Sequence, residues 1–217
     1  MSTGTDGQPP RRGRPGYDRE SLLRVAVEVF NERGYDGTSM DDLARRLGIT
    51  KAAIYYHVAS KEELLRLAVD RALDGLFAVV AEVEAADGRA IERLERLVRG
   101  SVAVLVDRLP FVTLLLRVRG NTGVERDALT RRRDFDHLVT KLVQQAESDG
   151  DIRTDADPAV TSRLLFGMVN SLVEWYTPGG PVDGAELADA VCAVAFDGLR
   201  RPAPADRPAP ADPVGAD

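Results

Sequence analysis

The chain has 217 residues, of which 44% are hydrophobic, and its formal net charge is −6. This composition excludes a disordered protein, and no apolar run of about eighteen residues occurs, so no membrane span is expected. One cysteine, Cys192, and two histidines exclude an internal disulfide and a metal site built on clustered cysteines or histidines. The N-terminus lacks the charged and apolar segments of a secretion signal. A cytoplasmic protein without a metal or cofactor is therefore expected.

Positive charge is concentrated at the N-terminal end. Residues 1–61 hold ten Lys/Arg and eight Asp/Glu, whereas residues 62–217 hold nineteen and twenty-seven. This distribution fits a protein that touches phosphate at one end only, although many surfaces differ by as much.

Residues 1–16 are rich in Gly, Pro and Arg, which predicts a disordered basic arm. Within this arm, the segment RRGRP carries Arg11, Arg12 and Arg14. Guanidinium groups of this kind suit a narrow minor groove of DNA. A flexible tail with incidental charge is the alternative.

The first helix is predicted from near Asp18 to about Arg33, with Gly34 ending it. Its apolar residues recur at helical spacing and form one face. They are Leu22, Val25, Ala26, Val29 and Phe30. This face supplies a small core for the two helices that follow.

Residues 38–61 have the pattern of a helix-turn-helix. Ser39 and Asp42 form a capping box that starts one helix, and Gly48 ends it. Thr50 caps the next helix only three residues later. A small residue at Ala44, the turn glycine and a branched apolar residue further on have the spacing that two crossing helices need.

The second helix of this pair has distinct inner and outer faces. Ile54 and Val58 face inward. The face left outward carries Lys51, Ala52, Tyr55 and Tyr56 and is mainly basic and aromatic. An ordinary helical hairpin with surface tyrosines is the alternative interpretation.

A long third segment, from Lys61 to about Val83, is predicted to connect this unit to the rest of the chain. Ser60 and Glu63 form a capping box at its start. Its apolar residues are expected to pack on both halves of the protein. They are Leu64, Leu65, Ala68, Leu73, Leu76, Phe77 and Val80.

The remainder is predicted to be helical, with each boundary set by local signals. A helix ends at Pro110, and Phe111 to Val118 forms a short helix, although its periodicity also permits a buried strand. A long helix then runs from Val124 to about Gly150. Asp157 and Pro158 start a helix reaching Trp175, and a capping box of Asp183 and Glu186 starts a last helix to about Leu199. Residues 201–217 alternate Ala, Pro and Asp and are predicted to be a disordered tail.

No constellation of residues suggests an enzyme. The sequence has no Gly-rich phosphate loop, no paired-histidine motif and no Gly-x-Ser-x-Gly. His137 lies near Asp134 and Asp136, but three polar residues on a charged helix are typical of a solvated face. A non-enzymatic protein is expected.

Residues 17–65 resemble the DNA-binding domain of the TetR family of bacterial repressors. The resemblance is carried by Tyr55, His57, Val58, Ser60 and Lys61, preceded by Phe30, Gly34 and Tyr35. It implies an all-α fold of about nine helices. Residues 17–61 would form a three-helix DNA-binding domain with the helix-turn-helix, and residues 62–200 a helical effector-binding and dimerisation domain.

The resemblance also assigns residues to DNA and to a second copy of the chain. On double-stranded operator DNA, base contacts fall on Lys51, Ala52, Ala53 and Tyr56, and phosphate contacts on Thr38, Ser39, Thr50, Tyr55, His57 and Lys61. The last two helices are apolar on more than one face, which predicts a homodimer interface or, alternatively, burial within a monomer. The interface residues are Leu164, Met168, Leu172, Leu187, Val191 and Val194.

The polar segment RVRGNTGVERDALTRRR, together with FGMVNSLVEWYTPGG, is similar to TetR-type regulators that respond to acyl-coenzyme A thioesters in fatty-acid, aromatic or steroid catabolism. In such proteins arginines meet the phosphates and the acyl chain is buried. The implied pocket consists of Phe77, Val104, Phe111, Leu115, Arg117, Arg119, Asn121, Phe135, Phe166, Asn170 and Trp175. The apolar members are equally good core residues, and the arginines could lie on a solvated face with Glu125, Asp127 and Asp134.

The prediction is a ligand-responsive transcriptional regulator that binds a palindromic operator as a homodimer. A small hydrophobic effector, such as an acyl-CoA, would release it from DNA. The alternative is a dimeric helical scaffold or adaptor without specific DNA binding.

Overall fold

The computed structural model describes residues 18–198, and this part of the chain contains nine α-helices and no strand. The helices are α1 (Arg19–Arg33), α2 (Met40–Leu47), α3 (Lys51–His57), α4 (Lys61–Ala85), α5 (Ala90–Asp107), α6 (Leu109–Arg117), α7 (Gly123–Ser148), α8 (Pro158–Ser171) and α9 (Gly184–Cys192). The predicted all-α architecture is therefore confirmed. Between residues 18 and 198, no helix combines the length and apolar character needed to cross a bilayer.

Three groups of predicted features lie outside the described residues. They are the basic arm with Arg11, Arg12 and Arg14, the C-terminal tail over residues 201–217, and Leu199 at the predicted end of the last helix.

The residues predicted to cap the N-terminal helices form the expected hydrogen bonds. The side chain of Asp18 accepts a hydrogen bond from the Ser21 amide at 2.7 Å, and the helix that follows ends at Gly34. Ser39 and Asp42 form a complete capping box, in which each side chain accepts from the other residue's amide. Local sequence signals therefore fix the start of α1 and α2, because an unpaired first-turn amide needs an acceptor.

Several boundaries in the second half differ from the sequence-based expectations. Pro110 was predicted to end a helix, but it lies in the first turn of α6. Proline is tolerated there because the amide groups of a first turn form no intrahelical hydrogen bond. The helix α8 ends at Ser171, and a 3₁₀ turn over Leu172–Glu174 precedes Trp175. The last helix ends earlier than predicted, because α9 gives way at Cys192 to a π-helical turn over Ala193–Asp197.

The caps of α4 and α9 also differ from complete capping boxes. Asp183 caps α9 by accepting from the Ala185 amide at 2.7 Å. Ser60 caps α4 as predicted, but the Glu63 carboxylate accepts from the Ala59 amide rather than from the amide of Ser60. A capping-box sequence therefore predicted the helix start correctly and one of the two hydrogen bonds incorrectly.

The helices pack around two hydrophobic cores. The N-terminal core joins α1, α2 and α3 to the first half of α4, to α6 and to the start of α7. The C-terminal core joins the second half of α4 to α5, α7, α8 and α9. Helix α4 thus contributes to both cores, and Phe77 and Val112 pack against each of them.

Lys61, the first residue of α4, fixes the loop between α1 and α2. Its ammonium group donates to the carbonyl oxygens of Tyr35 and Thr38, both at 2.8 Å, and lies 4.1 Å from the centre of the Tyr35 ring. Thr38 is buried, and its hydroxyl donates to the Gly34 carbonyl at 2.8 Å. We call residues 34–38 the hinge loop. The contacts tie this loop, and hence the start of α2, to the connecting helix α4.

The Lys61 contacts predict a stability effect that does not depend on any ligand. Lys61→Met should lower the free energy of unfolding by about 1–3 kcal/mol, because two carbonyls lose a charged donor. Urea denaturation at fixed protein concentration measures this change. Lys51→Met is the matched control, since its ammonium group is exposed, and it should change stability by no more than about 0.5 kcal/mol. Equal effects of the two substitutions would contradict the structural role of Lys61.

Candidate nucleic-acid interface and effector cavity

The turn between α2 and α3 has the geometry of a tight helix-turn-helix. Gly48 ends α2 in the left-handed region, at φ 66° and ψ 31°, where a side chain would be strained. The amide of Ile49 then donates to the Ala44 carbonyl at 3.2 Å. The next residue, Thr50, accepts a hydrogen bond from the Ala53 amide through its hydroxyl at 3.2 Å and starts α3. The three-residue connection therefore sets a fixed angle between the helices.

Helix α3 packs against the rest of the protein through one face only. Ile54 is fully buried and Val58, immediately after the helix, is 3% exposed. Since α3 has only seven residues, these two anchors determine which face points outward. Val58 fills the core at its position, as expected from the sequence.

The opposite face of α3 is exposed and consists of the predicted base-contacting residues. Lys51 and Ala52 are exposed, Ala53 is half-buried, and Tyr56 is 86% exposed. The Tyr56 ring packs only edge-on against His57, with the ring centres 5.3 Å apart. An aromatic ring so exposed gains little from folding, so burial does not explain its presence on this helix.

Lys51 forms an ion pair that the sequence analysis did not predict. Its ammonium group donates to the Asp41 carboxylate at 2.9 Å, across the turn from α3 to α2. This hydrogen bond raises the pKa of Lys51. The two residues are ten positions apart on different helices, so no helical periodicity indicates the pair. Asp41 therefore competes with any outside acceptor for this lysine.

The predicted phosphate contacts fall into two groups. Thr50 and Tyr55 are exposed and His57 is half-buried at the same end of the molecule. Ser39 is exposed, but its hydroxyl donates to the Asp42 carboxylate at 2.6 Å and lowers the pKa of Asp42. Lys61 and the buried Thr38 instead bond to carbonyl groups of the hinge loop. Thr38 is therefore buried, and the half-buried Lys61 directs its ammonium group at these carbonyls.

A narrow cavity of about 60 Å³ lies among α4, α5, α6, α7 and α8. Its apolar wall includes Phe135 and Phe166, whose rings meet edge to face with centres 4.9 Å apart. Its polar lining consists of Ser101, Arg132, Asp136 and Asn170. Partial burial raises the pKa of Asp136 even though Arg132 acts in the opposite direction. The cavity suits an apolar group with a polar end.

The cavity contains some of the predicted effector-pocket residues and not others. Val104, Leu115, Phe135, Phe166 and Asn170 line it. Phe77 packs behind it against Phe135, Phe111 belongs to the N-terminal core, and Trp175 is 57% exposed outside it. Arg117, Arg119 and Asn121 line a different space. Sequence periodicity finds apolar positions but does not indicate which of them surround a void.

That second space is a groove of about 680 Å³ between the end of α1, the hinge loop and the segment that follows α6. We call it the interdomain groove. Three hydrogen bonds cross it or run beside it. The Asn31 side chain donates to the Pro110 carbonyl at 2.8 Å, Arg117 donates to the Asn31 carbonyl at 2.9 Å, and Asn121 donates to the Asp36 carboxylate at 3.0 Å.

The arginines of α7 have separate roles. Arg131 links α7 to α4 through ion pairs with Asp70 at 3.0 Å and Asp74 at 2.7 Å. Arg132 lines the cavity, and Arg133 is exposed. The buried Glu125 caps α7, where it accepts from the amides of Arg119 and Thr122. The pattern Thr-x-x-Glu at Thr122 is the sequence signal for this capping box.

The predicted interface residues divide between the surface and the core. Leu164 is 69% exposed and Val194 is 42% exposed, while Met168 is half-buried. Leu172, Leu187 and Val191 are instead buried in the C-terminal core of their own chain. Other exposed apolar side chains are Val160 on α8 and Trp175 and Val182 in the segment between α8 and α9.

Two family models match the sequence. Residues 22–68 match the model described as bacterial regulatory proteins, tetR family. Residues 87–199 match the model described as tetracyclin repressor-like, C-terminal domain. The first model covers the helix-turn-helix, and the second covers α5 to α9.

Relatives and solved structures agree with these models. The HTH-type transcriptional repressor KstR2 of Mycolicibacterium smegmatis is 25% identical over 194 residues, covering 88% of this chain and 95% of that protein. A TetR transcriptional regulator family member from Streptomyces coelicolor A3 has 57% identity and a TM-score of 0.79, with 83% and 91% of the two chains covered. AibR, solved in complex with isovaleryl coenzyme A and operator DNA, has 26% identity and a TM-score of 0.70, with 82% and 97% covered. The chain belongs to the TetR family of bacterial regulatory proteins.

Proposed function

We propose that this protein is a homodimeric repressor that binds a palindromic operator in double-stranded DNA and is released by an acyl-CoA thioester. The observation that carries the proposal is the outward face of α3, where Lys51, Ala52 and Tyr56 are exposed on a rigidly anchored helix. In a helix-turn-helix protein the second helix enters the major groove. Lysine donates to guanine acceptors, and an alanine methyl contacts the thymine methyl.

In this proposal residues 17–61 act as the DNA-binding domain and residues 62–200 as the effector-binding and dimerisation domain. Thr50, Tyr55 and His57 contact phosphates, which fixes the register of the protein on the duplex. Helix α4 connects the two domains because it packs in both cores. The named repressor KstR2 and the AibR complex with operator DNA support this assignment.

The DNA-binding proposal predicts opposite effects for the two members of the Lys51–Asp41 pair. Duplexes selected from a random library by the full-length protein should contain palindromic half-sites about one helical turn apart. On the selected site, Lys51→Met should weaken binding about five- to one-hundred-fold, and Tyr56→Ala should relax sequence preference. Asp41→Asn should strengthen binding, because Lys51 loses its internal partner and a negative charge leaves the interface. Fluorescence anisotropy at several salt concentrations measures both the affinity and its salt dependence.

A dimeric scaffold without DNA recognition predicts a different result. No duplex would then be enriched, and the Lys51 and Asp41 variants would not differ in affinity. That outcome would overturn the repressor proposal in favour of the scaffold.

The dimer is proposed to form through α8 and the π-helical turn Ala193–Asp197 that follows α9. Val160 and Leu164 lie one helical turn apart on α8, and their exposed side chains make an apolar stripe that Met168 continues. Val194 adds a further exposed apolar side chain. Leu172, Leu187 and Val191 support this face from inside the protomer rather than contacting the partner.

Leu164→Glu tests the dimer face. A carboxylate in an apolar two-fold interface is repeated on both protomers, so the variant should be monomeric at micromolar concentration. Light scattering after size-exclusion chromatography gives the mass. Gln144→Glu adds the same charge at an exposed position of α7 and should leave the dimer intact. A dimeric Leu164→Glu protein would refute this face.

The effector is proposed to be an acyl-CoA whose acyl chain enters the cavity lined by Phe135 and Phe166. The cavity volume of about 60 Å³ is smaller than the roughly 300–1,000 Å³ of typical ligand pockets, so the surrounding helices must separate on binding. Separation of α6 and α7 from α4 would change the position of the connecting helix. This movement gives the effector a route to the DNA-binding domain.

The effector proposal is tested by thermal unfolding with acyl-CoAs of different chain lengths. At one hundred times its Kd, a ligand specific for the folded state stabilises it by about 2.7 kcal/mol. At least one acyl-CoA should raise the unfolding temperature more than free CoA does and should also displace the operator. Equal shifts with free CoA and with every acyl-CoA would contradict the proposal.

A further inference from the structure

We infer that Arg24, near the start of α1, binds the phosphate backbone of DNA beside His57 and so extends the DNA-binding surface from α3 onto α1. This inference rests on the proposed DNA-binding function and adds a phosphate contact on a helix outside the helix-turn-helix. We call Ser21, Arg24 and His57 the α1 edge. Its partner is the sugar–phosphate backbone of double-stranded DNA, which positions a protein on the duplex without revealing the base sequence.

The start of α1 is fastened to the segment that follows α3. The Arg19 guanidinium forms an ion pair with the Glu63 carboxylate at 2.9 Å, and the same carboxylate accepts from the amide of Ala59, two residues after the end of α3. Leu22 of α1 and Ile54 of α3 are both fully buried in the N-terminal core. The start of α1 therefore lies beside the end of the helix that is proposed to enter the major groove.

The basic groups of the α1 edge lie close together around Asp18. The pKa of Asp18 is lowered, first by hydrogen bonds from Ser21 and to a smaller extent by Arg24 and His57. Charged groups influence an exposed carboxylate in this way only within about 10 Å, because water and salt screen longer distances. The Asp18 carboxylate itself is engaged in the helix cap, where it accepts from the Ser21 amide at 2.7 Å. Arg24 and His57 therefore border the same small area of surface.

The guanidinium group of Arg24 is available to an outside anion. Arg24 is exposed, and among residues 18–198 it forms no ion pair and donates only to the neutral Ser21 hydroxyl, at 3.2 Å. Arg19 on the same helix is instead paired with the Glu63 carboxylate. A phosphate oxygen is a stronger acceptor than a hydroxyl, and a planar guanidinium binds two such oxygens at once. Binding of Arg24 to a phosphate would therefore cost the protein only one weak internal hydrogen bond.

The α1 edge is continuous with the outward face of α3. Side chains of a helix tilt toward its N-terminus, and the hydrogen bond to Ser21 holds the Arg24 guanidinium over the first turn of α1. On the other side of the edge, the His57 ring meets the Tyr56 ring edge-on with centres 5.3 Å apart, and Tyr56 is 86% exposed. A phosphate bound at the edge would therefore lie next to the bases that Tyr56 is proposed to contact.

A phosphate contact has a different experimental signature from a base contact. Loss of a phosphate contact weakens binding by the same factor on every sequence and lowers the slope of log affinity against log salt by about one. Loss of a base contact weakens binding mainly on the correct site. Arg24→Met should therefore behave differently from Lys51→Met, which removes a proposed base contact.

The test is a double-mutant cycle between the protein and the DNA. Fluorescence anisotropy would measure binding of the full-length protein to the selected operator, to an unrelated duplex of equal length, and to operators with one phosphate at a time replaced by a neutral methylphosphonate. Arg24→Met should weaken binding about three- to thirty-fold on both the operator and the unrelated duplex. Neutralising the phosphate that Arg24 contacts should weaken the wild type but not Arg24→Met, because the two changes remove the same interaction.

Two further variants serve as controls for charge and for folding. Arg133→Met removes the same charge from an exposed position of α7 and should leave every affinity unchanged. Arg24→Lys keeps the charge and should retain most of the affinity and the salt dependence. Since Arg24 is exposed, thermal unfolding of both Arg24 variants should match that of the wild type.

The outcomes separate the α1 edge from the proposed repressor function. If the wild type binds a selected operator and Arg24→Met binds it equally well, the inference is overturned and the repressor proposal stands. If no operator is selected but Arg24→Met weakens binding to the unrelated duplex and lowers its salt dependence, the α1 edge stands as a phosphate-binding surface and the repressor proposal fails. If the wild type binds no duplex, or if Arg133→Met has the effect expected of Arg24→Met, the inference is overturned.

Discussion

The structure depends on the packing of the long helix α4 in two hydrophobic cores. The first half of α4 contributes Leu64, Leu65 and Ala68 to the N-terminal core, each fully buried, and its second half contributes Val80 and Val83 to the C-terminal core. Packed interiors resist continuous deformation, so a change in one core moves α4 as a rigid element. The orientation of the helix-turn-helix relative to the rest of the protein therefore depends on the position of α4, together with α6 and the start of α7, which pack in the same N-terminal core.

Polar contacts also connect the N-terminal helices to the rest of the protein, in addition to the apolar packing of α4. Lys61 at the start of α4 and Asn121 after α6 both hold the hinge loop, the former through the carbonyls of Tyr35 and Thr38 and the latter through Asp36. The ion pair between Arg19 and Glu63, at 2.9 Å, adds a further link between α1 and α4. Hydrogen bonds depend more steeply on distance and angle than apolar packing does, so these contacts are the ones that a small displacement would break first. The hinge loop is thus the place where movements of α4 and α6 would converge on α2.

The outer face of α3 shows how a protein with a net charge of −6 could approach DNA at one end. Lys51 is paired with Asp41, so part of its charge is neutralised within the protein. Exposed ion pairs of this type contribute little to stability, and their main effect here would be on partner choice. The Asp41 carboxylate weakens the attraction of Lys51 to the phosphate backbone of any DNA. Contacts to the correct bases would then be needed to offset this loss of affinity.

The sequence by itself determined the helical fold, most helix starts and the inner and outer faces of α3, because these features follow from caps, glycines and periodicity within a few residues. It did not indicate that Lys51 pairs with Asp41, that Lys61 bonds to the hinge loop, or that Leu187 and Val191 are internal while Leu164 is exposed. Nor could it separate the cavity residue Phe135 from Arg117 and Arg119, which line a different space. Only the tertiary structure decided these points, because each depends on which distant helices pack together, and local periodicity marks a residue as apolar or exposed without naming its neighbour.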